Sequence, residues 1–364
     1  MIDYIKKRGM NMLKNHVVMN DMDNMFNSGY DFSKLKNKNI LITGATGMLA
    51  SYYLGFLVYL NRNHGYNINI YALARNKEKL DSVLDDYKDD VNYVIQDVTK
   101  PIEIDGDLDY IIHMASSANP KTLVSNPVSI IDANVIGTKN VLELAKEKNA
   151  EVLFTSTREI YGKVDDKDEV LETDMGILDN SIVRSCYPES KRLAENMIVS
   201  YGYQYDVDFK IARLAHSYGP GMIIHDDGRI MADLLSNVIN GENIVLKSSG
   251  DALRAFCYVS DATLALLLIT LSDKKNEIYN VSNETEEISI RNLAEKLISM
   301  YPERNLELVF DIDKDSATKY VNFKRTRLND DKLYSLGFNP QTSLEDGIRN
   351  TVSYEESKKV YTKK

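Results

Sequence analysis

Two residues four apart, Tyr187 and Lys191 in "RSCYPESKR", have types and spacing that suggest chemistry. Four residues is about one helical turn, so on a helix both side chains share a face. A lysine ammonium beside a phenol favours the phenol's anion and lowers its pKa. Such a tyrosine is a base able to take a proton from a hydroxyl. A second cluster lies upstream in "TSTREIYG", where Thr157 is followed by Arg158 and Glu159. The run "EVLF" leads into it, so the hydroxyls and the charged pair sit at the end of what reads as a buried strand. Arg158 and Glu159 are then either an incidental surface ion pair or part of the chemistry.

A third group lies near the start. "LITGATGMLA" places Gly44, Gly47 and Ala50 at intervals of three, after an apolar run that reads as a strand and before one that reads as a helix. Small residues there let the backbone turn tightly and approach a pyrophosphate, which the helix N-terminus stabilises. Thr46, Met48 and Leu49 complete this expected cofactor cradle. The second strand ends "YALARNKEK", with Ala74 and Arg75 where an acidic residue would hold a ribose 2′-hydroxyl. Arg75 can stack on adenine, pair with a 2′-phosphate and so favour NADP over NAD, or simply be solvated. Asp97, with Val98 after it, is placed to accept from an adenine amino group. Met114, Ala115 and Ser116 follow the fourth strand and are expected on the cofactor side.

These residues need a scaffold, and the pattern supplies one. "NILITG", "NINIYALAR", "VNYVIQDV", "LDYIIHMAS", "AEVLFTST" and "DFKIARLAHSYG" read as strands alternating with helical segments. Such alternation predicts an α/β fold, a Rossmann-type doubly wound parallel sheet with helices on both faces. We expect an N-terminal extension over 1–37 and a dinucleotide-binding domain over 38–215, rejoined by about 256–285. A smaller C-terminal substrate-binding domain is expected over 216–255 and 286–364. The extension, polar and rich in Asn and Met, reads as helical or irregular and packed on the main body or a partner.

Composition narrows the classes further. Hydrophobic residues make up 43% of 364, enough for a full core, and the net charge of −10 argues against a nucleic-acid partner. An anionic ligand must then be held by local arginines and helix ends. The two cysteines, Cys186 and Cys257, show no metal-ligand spacing, so no metal is expected, and reduced thiols in the cytoplasm are. The first sixteen residues lack the apolar core of a signal peptide, and the longest apolar run, "ATLALLLITL", is too short to span a bilayer.

Taken together the motifs are more specific than any one of them. Tyr187 and Lys191 match the YxxxK pair of the short-chain dehydrogenases/reductases. "TGATGMLA", "IIHMASSANP", "DANVIGT", "TSTREIYG", "RSCYPESKR", "SYGPGM", "DDGRI" and "RAFCYVSD" occur in the order seen in the extended nucleotide-sugar epimerases and dehydratases of that superfamily. The resemblance covers roughly residues 38 to 350 and is nearest in motifs to the UDP-glucuronate decarboxylases (UDP-xylose synthases).

The resemblance implies an enzyme that uses bound NAD on a nucleotide-diphosphate sugar, through oxidation at the sugar's C4 with Tyr187 as base. It implies that Thr157 bonds the 4-hydroxyl and that Asn134 helps hold the lysine's water network. Ser117, Arg229, Arg254 and Arg325 or Arg327 are implied substrate contacts, with Arg254 favoured for the diphosphate because a guanidinium fork suits phosphate oxygens. His216 falls where relatives often have a substrate-contacting asparagine and is either a donor to substrate or a satisfied core histidine. His113 and Cys186 read as structural. Similar enzymes dimerise through helices that here would include 130–147 and 188–203, so a homodimer is expected.

The residues after Thr157 sort the second step. Dehydratases of this kind carry Asp then Glu, but here the first place is Arg158, a poor proton donor because it stays protonated. The 4-epimerases usually have small or hydroxyl residues at both places, so Glu159 counts against them. Decarboxylases have Ser then Glu, which Glu159 fits, and an arginine in "GPRM", where this chain has Gly221. Arg158 then either replaces that guanidinium at the C6 carboxylate or pairs with an acid outside the reaction. Decarboxylation leads, with 4-epimerisation, 4,6-dehydration and a non-catalytic dinucleotide-binding descendant behind it.

Overall fold

The computed structural model describes residues 12–164, 167–225, 227–312 and 327–361. Among the described residues seven strands form one parallel sheet: β1 (Asn39–Thr43), β2 (Asn69–Ala74), β3 (Asn92–Ile95), β4 (Tyr110–His113), β5 (Glu151–Thr157), β6 (Phe209–Leu214) and β7 (Glu277–Val281). Their spatial order is β7-β6-β5-β4-β1-β2-β3. The direction of winding reverses between β1 and β4, which opens a cleft beyond the C-terminal strand ends at that point. Six of these strands are those read from the sequence. The seventh, "EIYNV", pairs with β6 from Glu277↔Lys210 to Val281↔Leu214.

The strands are near-continuous apolar runs because helices cover both faces. On one face lies α2 (Met48–His64), in which every residue from Ala50 to Leu60 is buried. It is covered on its outer side by α1 (His16–Phe26), a helix of the N-terminal extension capped by Asn15, whose Oδ1 accepts from Val17 N at 2.9 Å. Gly55 leaves room for the extension, since a Cβ there would lie 2.5 Å from Leu13 Cδ2, just ahead of α1, and 3.4 Å from Met22 Cε of α1. The extension therefore packs on the main body, burying Met12, Leu13, Val17, Val18, Met22 and Met25 in the largest core cluster. On the other face α3 (Pro127–Lys148) and α4 (Cys186–Tyr205) pack side by side. Pro127 starts α3 at a position that needs no N–H donor.

Beyond β6 the chain builds a smaller assembly of α5 (Ile230–Asn240), α7 (Ile290–Met300), α8 (Leu344–Tyr361) and short strand pairs. Between α5 and α7 the chain returns to the sheet through α6 (Val259–Leu271) and β7. Leu253–Ala255 pairs antiparallel with Glu287–Ser289, and Ile244–Leu246 pairs parallel with Leu308–Phe310. The apolar run in "ATLALLLITL" is α6, buried almost throughout. Among the described residues no helix is long and apolar enough to cross a membrane.

Candidate active site

The glycine-rich turn sits at the β1 end of the cleft. Gly44 has φ +70°, and a Cβ there would lie 2.8 Å from Ala115 Cα and 2.9 Å from Met114 O. Only glycine lets the β1 turn nest against the loop after β4. Gly47 N donates to Gly44 O at 2.8 Å, and Gly47 caps α2 without a side-chain bond. Thr46, Met48 and Leu49 are partly exposed around it. The first turn of α2 has no acidic side chain, so its N–H groups and dipole face the cleft unopposed.

Thr43, at the end of β1, braces this cradle in a way the sequence reading missed. Its Oγ1 accepts from Met114 N at 3.1 Å and Ala115 N at 3.2 Å, and lies 2.8 Å from His113 Nδ1. His113 Nε2 is 3.1 Å from Thr138 Oγ1, which itself donates to Asn134 O. That donor pattern assigns the Nε2–H tautomer, with Thr43 donating to Nδ1. Burial, helped by the Lys191 charge, pushes His113 down to about 3, so it stays neutral. It is a structural tie across β1, β4 and α3. A threonine directly before the glycine turn was the available signal.

Buried polar atoms mark where a ligand fits. Ser116 Oγ, Asn134 Oδ1 and Ser156 Oγ are buried without hydrogen-bond partners in the protein. Such atoms are costly to leave unpaired. Ser116 follows β4 and Ser156 lies at the end of β5, so the cleft edge offers acceptors and donors to a bound dinucleotide. At the far end Arg75 Nη1 is 3.8 Å from Asp97 Oδ2, with both side chains well exposed. Burial works against the Asp97 anion, but hydrogen bonds from Thr99, with Arg75 and Lys100, hold its carboxyl below the usual range. A carboxylate this close to Arg75 opposes a second negative group, so the pair suits a ribose hydroxyl better than a 2′-phosphate. Val98 is buried against Gly137, where a Cβ would lie 2.8 Å from Val98 Cγ1.

The reacting end is assembled from β5 and the first turn of α4. Thr157 and Tyr187 are both buried and hydrogen-bonded to each other. Lys191 Nζ donates to Thr155 O at 2.7 Å and lies 4.3 Å from the Phe154 ring centre. Burial pushes Lys191 down to about 7 against the pull of Glu195. Lys191 is not among the groups that lower the Tyr187 phenol. Burial first, then the Glu159 charge, push the phenol well up, while Thr157, Arg184 and Arg229 oppose the rise. The physical reason is that Lys191 is itself desolvated and turned to the Thr155 carbonyl. Asn134 reaches the same helix through Ser190, donating from Nδ2 to Ser190 Oγ at 2.8 Å.

Glu159 forms its ion pair with Arg184, whose Nη2 is 2.9 Å from both carboxylate oxygens. Arg158 is half-buried in the 3-10 turn Arg158–Tyr161 that ends β5. Arg229 grips the fully buried Asp227 through Nε and Nη2, and its charge reaches the Tyr187 hydroxyl, which puts it near the reacting end. Ser117 Oγ accepts from Asn119 N at 3.4 Å, and Asn119 Nδ2 donates to Asp227 Oδ2 at 3.4 Å. Arg254 lies on the strand Leu253–Ala255, its Nη1 donating to Leu253 O at 2.7 Å. His216 has φ +34°, a strained backbone for a non-glycine residue, with its ring 5.9 Å from that of Phe256. Arg327 faces Glu169 and Glu284 at 3.9 and 3.8 Å, and Arg325 lies outside the described residues.

Gly221 does not stand in an open place. It has φ +86°, and a Cβ there would meet Met12 Cε at 3.5 Å and Met48 Cα at 3.7 Å. A side chain at 221 would thus point at the start of α2 and at the extension. Cys186 Sγ donates to Leu123 O at 3.5 Å and is partly exposed, whereas Cys257 is fully buried; both thiols are free.

The chain is similar to known proteins in both sequence and fold. The sequence model of the "NAD dependent epimerase/dehydratase family" matches residues 40–282. UDP-glucuronic acid decarboxylase 6 of Arabidopsis thaliana is 31% identical over 313 residues, 86% of this chain and 87% of that protein. The UDP-glucose 4-epimerase of Thermotoga maritima shares the fold at TM-score 0.74 and 21% identity, over 88% of this chain and 99% of that one. A dTDP-glucose 4,6-dehydratase of Streptomyces venezuelae does so at TM-score 0.71 and 21% identity, over 89% and 98%. By the match of its sequence and the likeness of its fold, the chain belongs to the NAD-dependent epimerase/dehydratase family of nucleotide-sugar-modifying enzymes.

Proposed function

We propose that the enzyme decarboxylates a UDP-linked uronic acid through a 4-keto sugar. The observation that carries this reading is the charge around the reacting end. Arg184 and Arg229 both act on the Tyr187 hydroxyl, Arg158 stands in the turn beside Thr157, and the only acid of that turn is Glu159. Arg184 is paired with Glu159 and Arg229 with Asp227, so three guanidinium groups against two carboxylates leave a net positive charge, which suits an acidic sugar better than a neutral one. The relatives named UDP-glucuronic acid decarboxylase, 31% identical, support the same choice.

Gly44, Thr46, Gly47, Met48, Leu49 and the polar cleft edge would hold NAD, which when bound supplies a reversible hydride acceptor at the sugar's C4. Tyr187 takes the 4-hydroxyl proton, with Thr157 bonded to the same oxygen. The resulting ketone is β to the C6 carboxylate, so the C5–C6 bond electrons can flow into the carbonyl as CO2 leaves. The enolate is then protonated at C5, and Tyr187 returns its proton to the C4 oxygen as the ketone is reduced again, so bound NAD would be regenerated in each cycle. Arg158 faces the C6 carboxylate and orients it; too tight a grip would stabilise the reactant more than the transition state. A guanidinium at position 158 in place of an acid counts against expulsion of a C6 hydroxyl.

Gly221 favours a second reading, 4-epimerisation, because the loop presents no arginine there. UDP-glucuronate should release CO2 without added cofactor. If it does not, while a UDP-hexose is interconverted, epimerisation replaces decarboxylation.

We read 38–215 with 256–285 as the NAD-binding domain, and 216–255 with 286–364 as the domain closing over the sugar. Exposed Val128, Ile131 and Ile136 on α3 with Leu193, Val199 and Tyr203 on α4 support a homodimer through these helices. The free thiols of Cys186 and Cys257 support a reducing, cytoplasmic setting.

A further inference from the structure

Arg184 stands in the 3-10 turn Val183–Ser185, just ahead of Tyr187 in the chain. Its Nη2 is 2.9 Å from each Glu159 oxygen. Glu159 follows Thr157 closely, and its backbone N–H donates to Thr157 Oγ1 at 3.2 Å. Thr157 is in turn bonded to Tyr187. The four residues close a ring around the phenol: Thr157 to Glu159 by backbone, Glu159 to Arg184 by ion pair, Arg184 to Tyr187 along the chain, and Tyr187 back to Thr157.

A carboxylate left alone beside a phenol opposes any anionic character on it. The Arg184 and Glu159 side chains are 39% and 41% exposed, a setting in which an ion pair adds little to stability. The pair's effect must therefore be local, through placement and charge. We propose that Arg184 is a positioning residue that fixes the Glu159 carboxylate at the end of β5 and offsets its charge at the Tyr187 hydroxyl. The proposal rests on Tyr187 being the base in the reaction given above.

Cys186, two residues after Arg184, provides a reporter that needs no substrate. Burial raises its thiol, Arg184 lowers it and Glu159 raises it, while Cys257 is fully buried and silent. The test compares Arg184→Gln, Arg184→Lys, Glu159→Gln and the Arg184→Gln, Glu159→Gln double variant in the full chain. The pH dependence of Cys186 alkylation by iodoacetamide is followed first, then that of kcat on UDP-glucuronate.

Arg184→Gln should move the alkylation midpoint up by about half a pH unit or more. It should shift the rising limb of kcat the same way and lower kcat more than it changes KM. Arg184→Lys should restore most of both, and the double variant should return near wild type, since opposite charges leave together. Unmoved midpoints in Arg184→Gln, or a double variant as displaced as the single, would overturn the proposal. If the thiol midpoints move as expected but no nucleotide sugar turns over, the reaction is wrong and the placement of Arg184 stands.

Discussion

At the scale of single residues, the site trades stability for a charge it needs. Lys191 is buried to 3% exposure, and its ammonium has one carbonyl partner, Thr155 O at 2.7 Å. Its pKa falls from 10.5 to about 7 on folding. Between those values the unfolded chain binds the extra proton, so stability rises with pH across that window and its cost is complete below about 7. Replacing Lys191 with Met, similar in length and uncharged, should abolish turnover yet stabilise the protein at pH 6.5 by a few kcal/mol. The loss of the bond to Thr155 O offsets that gain by about 1 kcal/mol. Melting curves of both proteins at pH 6.5 and 9.5 check this, and an equal gap at the two pH values would refute it. The YxxxK spacing made Tyr187 and Lys191 legible together, as helix geometry does for any pair one turn apart. Glu159 and Arg184 were not legible as a pair, because 25 residues and an irregular loop separate them and no local period relates the two. Arg158, the neighbour in sequence, left the partner of Glu159 open.

At the scale of elements, the strand-to-turn-to-helix step at β1 controls the cofactor end. Gly44 combines φ +70° with a backbone approach of 2.8 Å to Ala115 Cα. A methyl group there meets main chain, which cannot rotate away, and strains a left-handed conformation as well. Gly44→Ala should therefore cost about 1–3 kcal/mol of stability and strip the protein of co-purified dinucleotide. Mass spectrometry of the denatured supernatant together with a thermal melt reads both effects; retained NAD at wild-type stoichiometry would count against the cradle. The motif was readable because its small residues have one physical purpose. Alternating apolar runs likewise revealed the core strands. What holds the loops above the cleft was less readable. The buried Asp227 under Arg229, and the short strand pairs that carry Arg254 and Arg327, arise from tertiary pairing between distant segments, which no local pattern encodes.

At the scale of the whole molecule, the N-terminal extension is a strut between the two halves of the chain. Asp21 of α1 accepts at Oδ2 from Tyr52 of α2 and from Tyr258 at the start of α6, each at 2.8 Å. Asp261, which caps the 341–342 backbone, lies close enough to act on it. Burial pushes Asp21 up from 3.8 to about 7 and Asp261 to about 6, despite the bonds each accepts. Here the folded state holds the extra proton. Stability is fully present below about 4 and is lost as pH rises through 6 and 7. This direction is opposite to that of Lys191, and the windows do not overlap, since the lysine acts only above about 7. Asp21→Asn keeps an acceptor for the tyrosines and cannot ionise. Wild type should therefore lose melting temperature between pH 5 and 7 more steeply than Asp21→Asn, with the two slopes converging above pH 8. Parallel slopes across pH 5 to 7 would show that the carboxyl at position 21 stays ionised or is screened. Because Met12 of the same extension packs against Gly221 beside the start of α2, loosening of this strut should also be felt at the cofactor end, as faster loss of bound dinucleotide from wild type than from Asp21→Asn at pH 8.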